Sequence, residues 1–178
     1  VSIRDVELIQ GALVPGDGRI VALSGDGLVR AYSAADGARQ WMTDLEARVR
    51  ASAVLAGSRL VVPTSRGLVA LDAATGRRAW EQEAPYGCDA APAVVGGRVV
   101  AAFRSLGVRA YDLVTGAPLM EANLRPSEAL LVDGDLLVVG TEDGEVLRLD
   151  QATGKTLWRT EIGSEPNMGP TLAAPGMI

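Results

Sequence analysis

The chain has 178 residues, a formal net charge of −5 from 22 acidic and 17 basic residues, no histidine and one cysteine. An acidic balance without a basic patch argues against nucleic acid as the main partner. A single cysteine excludes an internal disulfide, and no apolar run approaches the length of a membrane span.

In chain order, short apolar or alternating runs are broken by Gly and Asp turn signals, the pattern of strands joined by hairpins. The first unit turns at Asp17-Gly18 and Gly27, then reads Tyr32-Ser-Ala-Ala-Asp-Gly37-Ala-Arg-Gln-Trp41. The second turns at Gly57-Ser58 and Gly67 and reads Leu71-Asp-Ala-Ala-Thr-Gly76-Arg-Arg-Ala-Trp80. The third is the plainest. Strands are expected over Ala90–Val95, Arg98–Phe103, Val108–Tyr111 and Pro118–Leu124, with turns at Gly96-Gly97, Gly107 and the phrase from Tyr111 through Gly116 to Met120. The fourth turns at Asp133-Gly134 and Gly144 and reads Leu149-Asp-Gln-Ala-Thr-Gly154-Lys-Thr-Leu-Trp158. A fifth unit begins at Asn167-Met-Gly-Pro-Thr-Leu-Ala-Ala174, with Pro175-Gly176 as its first turn.

The four phrase glycines, Gly37, Gly76, Gly116 and Gly154, are 39, 40 and 38 residues apart. Four-stranded units at this period mean an all-β fold, a β-propeller of antiparallel blades. The blades are placed at 8–46, 47–85, 86–124 and 125–163, with the start of the next at 164–178, as one partial propeller domain. The chain starts at Val1 and stops where a strand should begin, so it is expected to be a piece of a propeller of seven or eight blades. Alone it should be unstable or self-associate through open blade edges.

Within the phrase, Asp72, Asp112 and Asp150 are positioned to accept hydrogen bonds from turn amides, and the glycines to take a left-handed conformation. Trp41, Trp80 and Trp158 share one blade position, with Met120 in the third blade. They are assigned to blade-to-blade packing rather than ligand stacking. The three aspartates, the four glycines and the three tryptophans are therefore read as structural.

No chemistry stands out. Asp133-Gly-Asp135 and Glu142-Asp-Gly-Glu145 coincide with blade turns, so turn chemistry explains them better than calcium ligation. Gly16-Asp-Gly18 and Gly25-Asp-Gly27 precede no helix and are not phosphate loops. Cys88 has no histidine to activate it and is read as a small, partly buried residue. The expectation is no catalytic residue, no metal site and no cofactor. Arg48, Arg50, Arg66 and Arg104 fall near turns or strand ends; arginine is enriched at interfaces, but they are read first as solvated surface residues and no binding patch is assigned.

The phrase Leu-Asp-Ala-Ala-Thr-Gly-x-x-x-Trp resembles the PQQ-like β-propeller repeat, and the likeness runs from about Leu13 to Ala174. Blades two and four match best. Ser33 and Asp36 depart from the pattern in blade one, and Met120 in blade three. The resemblance implies three classes of function. One is the quinoprotein dehydrogenases, with pyrroloquinoline quinone and calcium on the axis and commonly an adjacent cysteine pair, which this sequence lacks. Another is the BamB-like outer-membrane assembly propellers, which have no cofactor. The third is the extracytoplasmic sensor propellers. The BamB-like class fits best, which implies a bacterial, periplasmic or outer-membrane-associated scaffold that binds other proteins through its loops.

Overall fold

A computed structural model describes residues 13–16 and 18–163. The described residues form sixteen strands and no helix. Leu13–Gly16, Arg19–Leu23, Leu28–Ser33 and Arg39–Asp44 are β1 to β4. Val54–Ala56, Arg59–Thr64, Gly67–Asp72 and Arg78–Glu83 are β5 to β8. Ala93–Val95, Arg98–Phe103, Gly107–Asp112 and Pro118–Ala122 are β9 to β12. Pro126–Asp133, Leu136–Thr141, Glu145–Leu149 and Thr156–Glu161 are β13 to β16.

Each group of four is one antiparallel sheet whose strands lie in sequence order. The inner strands β1, β5, β9 and β13 adjoin one another in that order. The chain is thus four blades of a β-propeller. The fifth unit expected from Asn167 onward, and Asp17 of the first turn, lie outside the described residues.

The second and third strands of the two middle sheets read as nearly continuous apolar runs because both of their faces are covered. In β6 and β7 every residue from Leu60 to Thr64 and from Gly67 to Leu71 is buried. Each of the two middle sheets packs one face on the sheet before it and the other on the sheet after. Val21, Leu23, Val29 and Trp41 of the first sheet meet Leu60, Val62, Val69 and Leu71 of the second. Val61, Leu68, Ala70 and Trp80 meet Val99, Phe103, Tyr111 and Leu113 of the third. Val108 and Met120 meet Leu137, Val139, Leu147 and Leu149 of the fourth. Each fully buried Val, Leu or Phe among them contributes about 1.5–3 kcal/mol on leaving water.

The strand ends depart slightly from those read in the sequence. β9 starts at Ala93 instead of Ala90, because Pro92 has no N–H to offer a ladder. The stretch before it is tied to the second sheet, with the Cys88 amide donating to the Thr64 carbonyl at 2.9 Å. Cys88 is fully buried rather than partly so. Its thiol lies 3.4 Å from the Ala90 carbonyl and 3.6 Å from that of Ala102. Burial pushes its pKa up to about 12. At pH 8 the native thiol should therefore react with a disulfide reagent at least about a hundredfold more slowly than in denaturant, because only the thiolate attacks. Equal rates in the two conditions would contradict this burial.

Candidate functional site

The repeated phrase builds the same turn three times. Asp72 Oδ1 accepts from the Ala74 amide at 3.1 Å, the Thr75 amide at 2.9 Å and the Thr75 hydroxyl at 2.8 Å. Asp112 does the same with Val114 and Thr115, and Asp150 with Ala152 and Thr153. In the first sheet Ser33 and Asp36 share the task, each accepting from one amide. The backbone closes identically in all four, with the glycine amide donating to the carbonyl of Ser33, Asp72, Asp112 or Asp150. Gly37, Gly76, Gly116 and Gly154 have φ of 72°, 73°, 74° and 71°, a region costly for other residues.

These hydrogen bonds set the acid behaviour of the turns. The Thr75 hydroxyl first, and the Thr75 amide next, hold the Asp72 carboxyl below its ordinary value. For Asp112 the Thr115 amide leads, and for Asp150 the Thr153 hydroxyl. A carboxyl lowered by folding stabilises the fold at pH above its unfolded value, and that stability is lost as pH falls through the folded one. The melting temperature should thus hold between pH 7 and 5 and fall below about pH 4. The triple change Asp72→Asn, Asp112→Asn and Asp150→Asn should make that acid decline shallower. An unchanged acid profile in the triple variant would contradict the assignment.

The turns are also docking surfaces. The Trp41 indole N–H donates to the Ala73 carbonyl at 3.2 Å, and that of Trp80 to the Leu113 carbonyl at 2.9 Å. Two residues on, the Thr43 hydroxyl donates to the Gly76 carbonyl and the Gln82 amide to that of Gly116. A Cβ on Gly76 would lie 2.5 Å from Trp41 Cε3, and one on Gly116 would lie 2.6 Å from Trp80 Cγ. Only glycine lets the indole approach this closely. In the third sheet Met120 takes the tryptophan position and its sulfur lies against Gly154. The Gln151 carbonyl there accepts from Arg98 instead, at 3.2 Å.

The structure thus brings Trp41 to the Asp72–Gly76 turn and Trp80 to the Asp112–Gly116 turn, and sets Met120 on the Asp150–Gly154 turn. It leaves Trp158 and Gly37 apart from the rest. Trp158 is 43% exposed, against 9% for Trp41 and 8% for Trp80. A Cβ on Gly37 would meet nothing within 4 Å.

The arginines that bind the joints escaped the sequence reading. Arg59 reaches the Val114 carbonyl of the next sheet at 3.4 Å, as Arg98 reaches Gln151. Arg78 reaches back to the Leu45 carbonyl at 2.7 Å. For Arg59 and Arg98 the signal was phase: like Arg19, each follows the first turn of a unit.

Two rims of loops flank the sheets. One carries the hairpins joining first to second strands together with the Asp-x-x-Thr-Gly turns, linked by the Ala73 amide to the Ser58 carbonyl and the Leu113 amide to that of Gly97. The other carries the hairpins between second and third strands and the segments joining one sheet to the next. Arg50, Arg66 and Arg104 lie on this second rim, paired with Asp89 at 2.7 Å, Glu83 at 3.6 Å and Glu142 at 3.7 Å. Arg125 also pairs with Glu142, at 2.8 Å. Exposed pairs of this kind contribute at most about 1 kcal/mol each. Arg48 is exposed, and its backbone amide donates to Ser65. Tyr86, also on this rim, is 79% exposed with φ of 67°.

A family model described as outer membrane protein assembly factor BamB matches residues 5–129 and 115–176. The chain belongs to the BamB family. It is 30% identical over 165 residues to the BamB of Burkholderia pseudomallei (strain K96243), covering 82% of this chain and 43% of that protein. It is 25% identical over 162 residues to the BamB of Moranella endobia (strain PCIT), covering 82% and 42%. The chain therefore spans less than half the length of these curated relatives.

Among solved structures it is similar to the computationally designed Ika8 protein, with a TM-score of 0.75 and 20% identity over 86% of this chain and 49% of that one. The quinohemoprotein alcohol dehydrogenase ADHIIG of Pseudomonas putida HK5 gives 0.71 and 20%, covering 85% and 34%. BamB of Moraxella catarrhalis gives 0.51 and 21%, covering 86% and 62%. At these identities the structural likenesses speak for the propeller fold alone.

The propeller resemblance to quinoproteins raises a calcium ion, and the described residues do not gather a ligand set for it. Calcium takes six to eight oxygens. Among the described residues no three His, Cys, Asp or Glu side chains come together as a metal set. Asp72, Asp112 and Asp150 are spread one to a sheet, with Oδ1 engaged by their own turns. Glu142 of the acidic run is held by Arg104 and Arg125. Among the described residues no helix is long and apolar enough to cross a membrane.

Proposed function

We propose that this chain is a non-enzymatic propeller scaffold, acting outside the cytoplasm in the assembly of outer-membrane proteins and binding its protein partners through its rim loops. The observation that carries this reading is the BamB family match, which runs from residue 5 to residue 176. The physical organisation agrees with it. The polar side chains of the repeat are spent on turns and joints, which leaves a stiff stack of sheets with loops on two rims as the surface for recognition.

The test is genetic. Removing the gene from its bacterium should lower the amount of folded barrel proteins in the outer membrane and raise sensitivity to bile salts, and restoring it should reverse both. Barrel proteins at normal levels in the deletion strain would sink the reading.

A further inference from the structure

Glycine follows aspartate at five places, Asp17, Asp26, Asp36, Asp133 and Asp143. This pair is chemically labile. The glycine nitrogen can close on the aspartate side chain, because no Cβ on the glycine stands in the way. Whether it does so in a folded chain depends on how firmly the two groups are held. Asp17 lies outside the described residues, and the structure separates the other four.

In three of them the reacting groups are engaged. The Gly27 amide donates to the Ser24 carbonyl at 3.0 Å, and Asp26 Oδ1 accepts from the Ser24 hydroxyl and the Leu28 amide. The Gly37 amide donates to the Ser33 carbonyl at 2.9 Å, and Asp36 Oδ1 accepts from the Ala38 amide at 3.1 Å. The Gly144 amide donates to the Thr141 carbonyl at 3.1 Å. Each such bond holds the nitrogen to a backbone carbonyl and must break before it can turn to the carboxyl.

Asp133 and Gly134 differ. They sit where β13 turns into β14, with Asp133 paired across the hairpin to Leu136. Gly134 therefore takes the first of the two turn positions, where the ladder does not use its amide. Among the described residues neither the Gly134 amide nor the Asp133 carboxyl has a hydrogen-bond partner. Both residues are exposed, and a Cβ on Gly134 would meet nothing within 4 Å, so a ring has room to form.

We propose that Asp133 is a site of spontaneous isoaspartate formation, and that the fold protects Asp26, Asp36 and Asp143 from the same reaction. The Asp133 carboxylate takes a proton from solvent, and the Gly134 nitrogen bonds to its Cγ. The carboxyl hydroxyl leaves with the amide proton as water, and the product is a five-membered succinimide. A second water then opens the ring. Cleavage between nitrogen and Cγ restores aspartate. Cleavage between nitrogen and the α-carbonyl carbon leaves the main chain running through Cβ and Cγ, longer by one methylene, with the carboxylate on Cα. Nothing is oxidised or reduced. The Gly134 carbonyl accepts from the Gln151 side-chain amide at 2.8 Å, and the Gln151 carbonyl accepts from Arg98 of the third sheet at 3.2 Å. The added methylene therefore acts on a hairpin tied into the joint between the third and fourth sheets. The proposal does not rest on the assembly reading above.

The test holds the purified 178-residue chain in water enriched in oxygen-18, since each opening of the ring leaves one solvent oxygen in the carboxyl group. Peptide mapping reads label and isoaspartate at each Asp-Gly pair, in the folded chain and in denaturant. In the folded chain, label at Asp133 should build up at least about fivefold faster than at Asp26, Asp36 or Asp143, the factor for breaking one hydrogen bond. In denaturant the four rates should converge. Asp133→Glu keeps the charge but would need a six-membered ring, so it should remove the isoaspartate signal from that peptide and leave the others unchanged. Label at Asp133 no faster than at the other three in the folded chain overturns the proposal. An equal lead for Asp133 in denaturant overturns it too, because the cause would then lie in the local sequence and not in the fold.

Discussion

Replacing Trp80 by alanine should lower the unfolding free energy by about 3–5 kcal/mol, the range for a buried tryptophan cut to a methyl group. Three terms act together. The indole loses its contacts with Tyr111 and the Gly116 turn. The Leu113 carbonyl loses its donor. The cavity cannot close cheaply, because both flanking sheets are held rigid by their own ladders. The same change at Trp158 should cost much less, about 1 kcal/mol, because that ring is already 43% exposed. Urea unfolding of the two variants decides the matter. Equal losses would mean that the tryptophan acts within its own sheet, and that docking between sheets contributes little.

That contrast marks what the sequence made legible. The four sheets were readable because each is a chain of hairpins, and hairpins are local. Gly67, Gly107 and Gly144 announce turns whose partners lie within a dozen residues. The role of the tryptophans was readable too, because they share one phase of the repeat. Their inequality was not. Trp41, Trp80 and Trp158 are alike within their own units, and the difference lies in whether a turn some 35 residues further on sits against each one.

The joint arginines show the same limit. Arg59 and Arg98 bind carbonyls of the next sheet, more than 50 residues away in sequence. A composition rich in arginine hides such contacts, since Arg48 and Arg66 look no different and lie at the surface. Cys88 reads as partly buried from the sequence because it lies beside Asp89 at the start of a blade. The segment in fact crosses between two sheets, and a tether to Thr64 draws it inside.

Gly116→Ala should cost about 3 kcal/mol, while Gly97→Ala should cost about 1 kcal/mol. The two glycines have nearly equal φ, 74° and 75°, so the strain of placing alanine in the left-handed region is the same for both. Around Gly97 a Cβ meets nothing within 4 Å, whereas at Gly116 it lands 2.6 Å from Trp80 Cγ. The difference between the variants therefore isolates the docking of the indole on the turn from the conformational demand of the turn itself. In the combined Trp80→Ala, Gly116→Ala variant the clash is gone, so the loss should fall well short of the sum of the two single losses, which is the signature of residues in contact. Simple additivity would mean that the turn and the tryptophan stabilise the stack independently, and the close-packed joint would lose its standing as the element that holds the sheets in register.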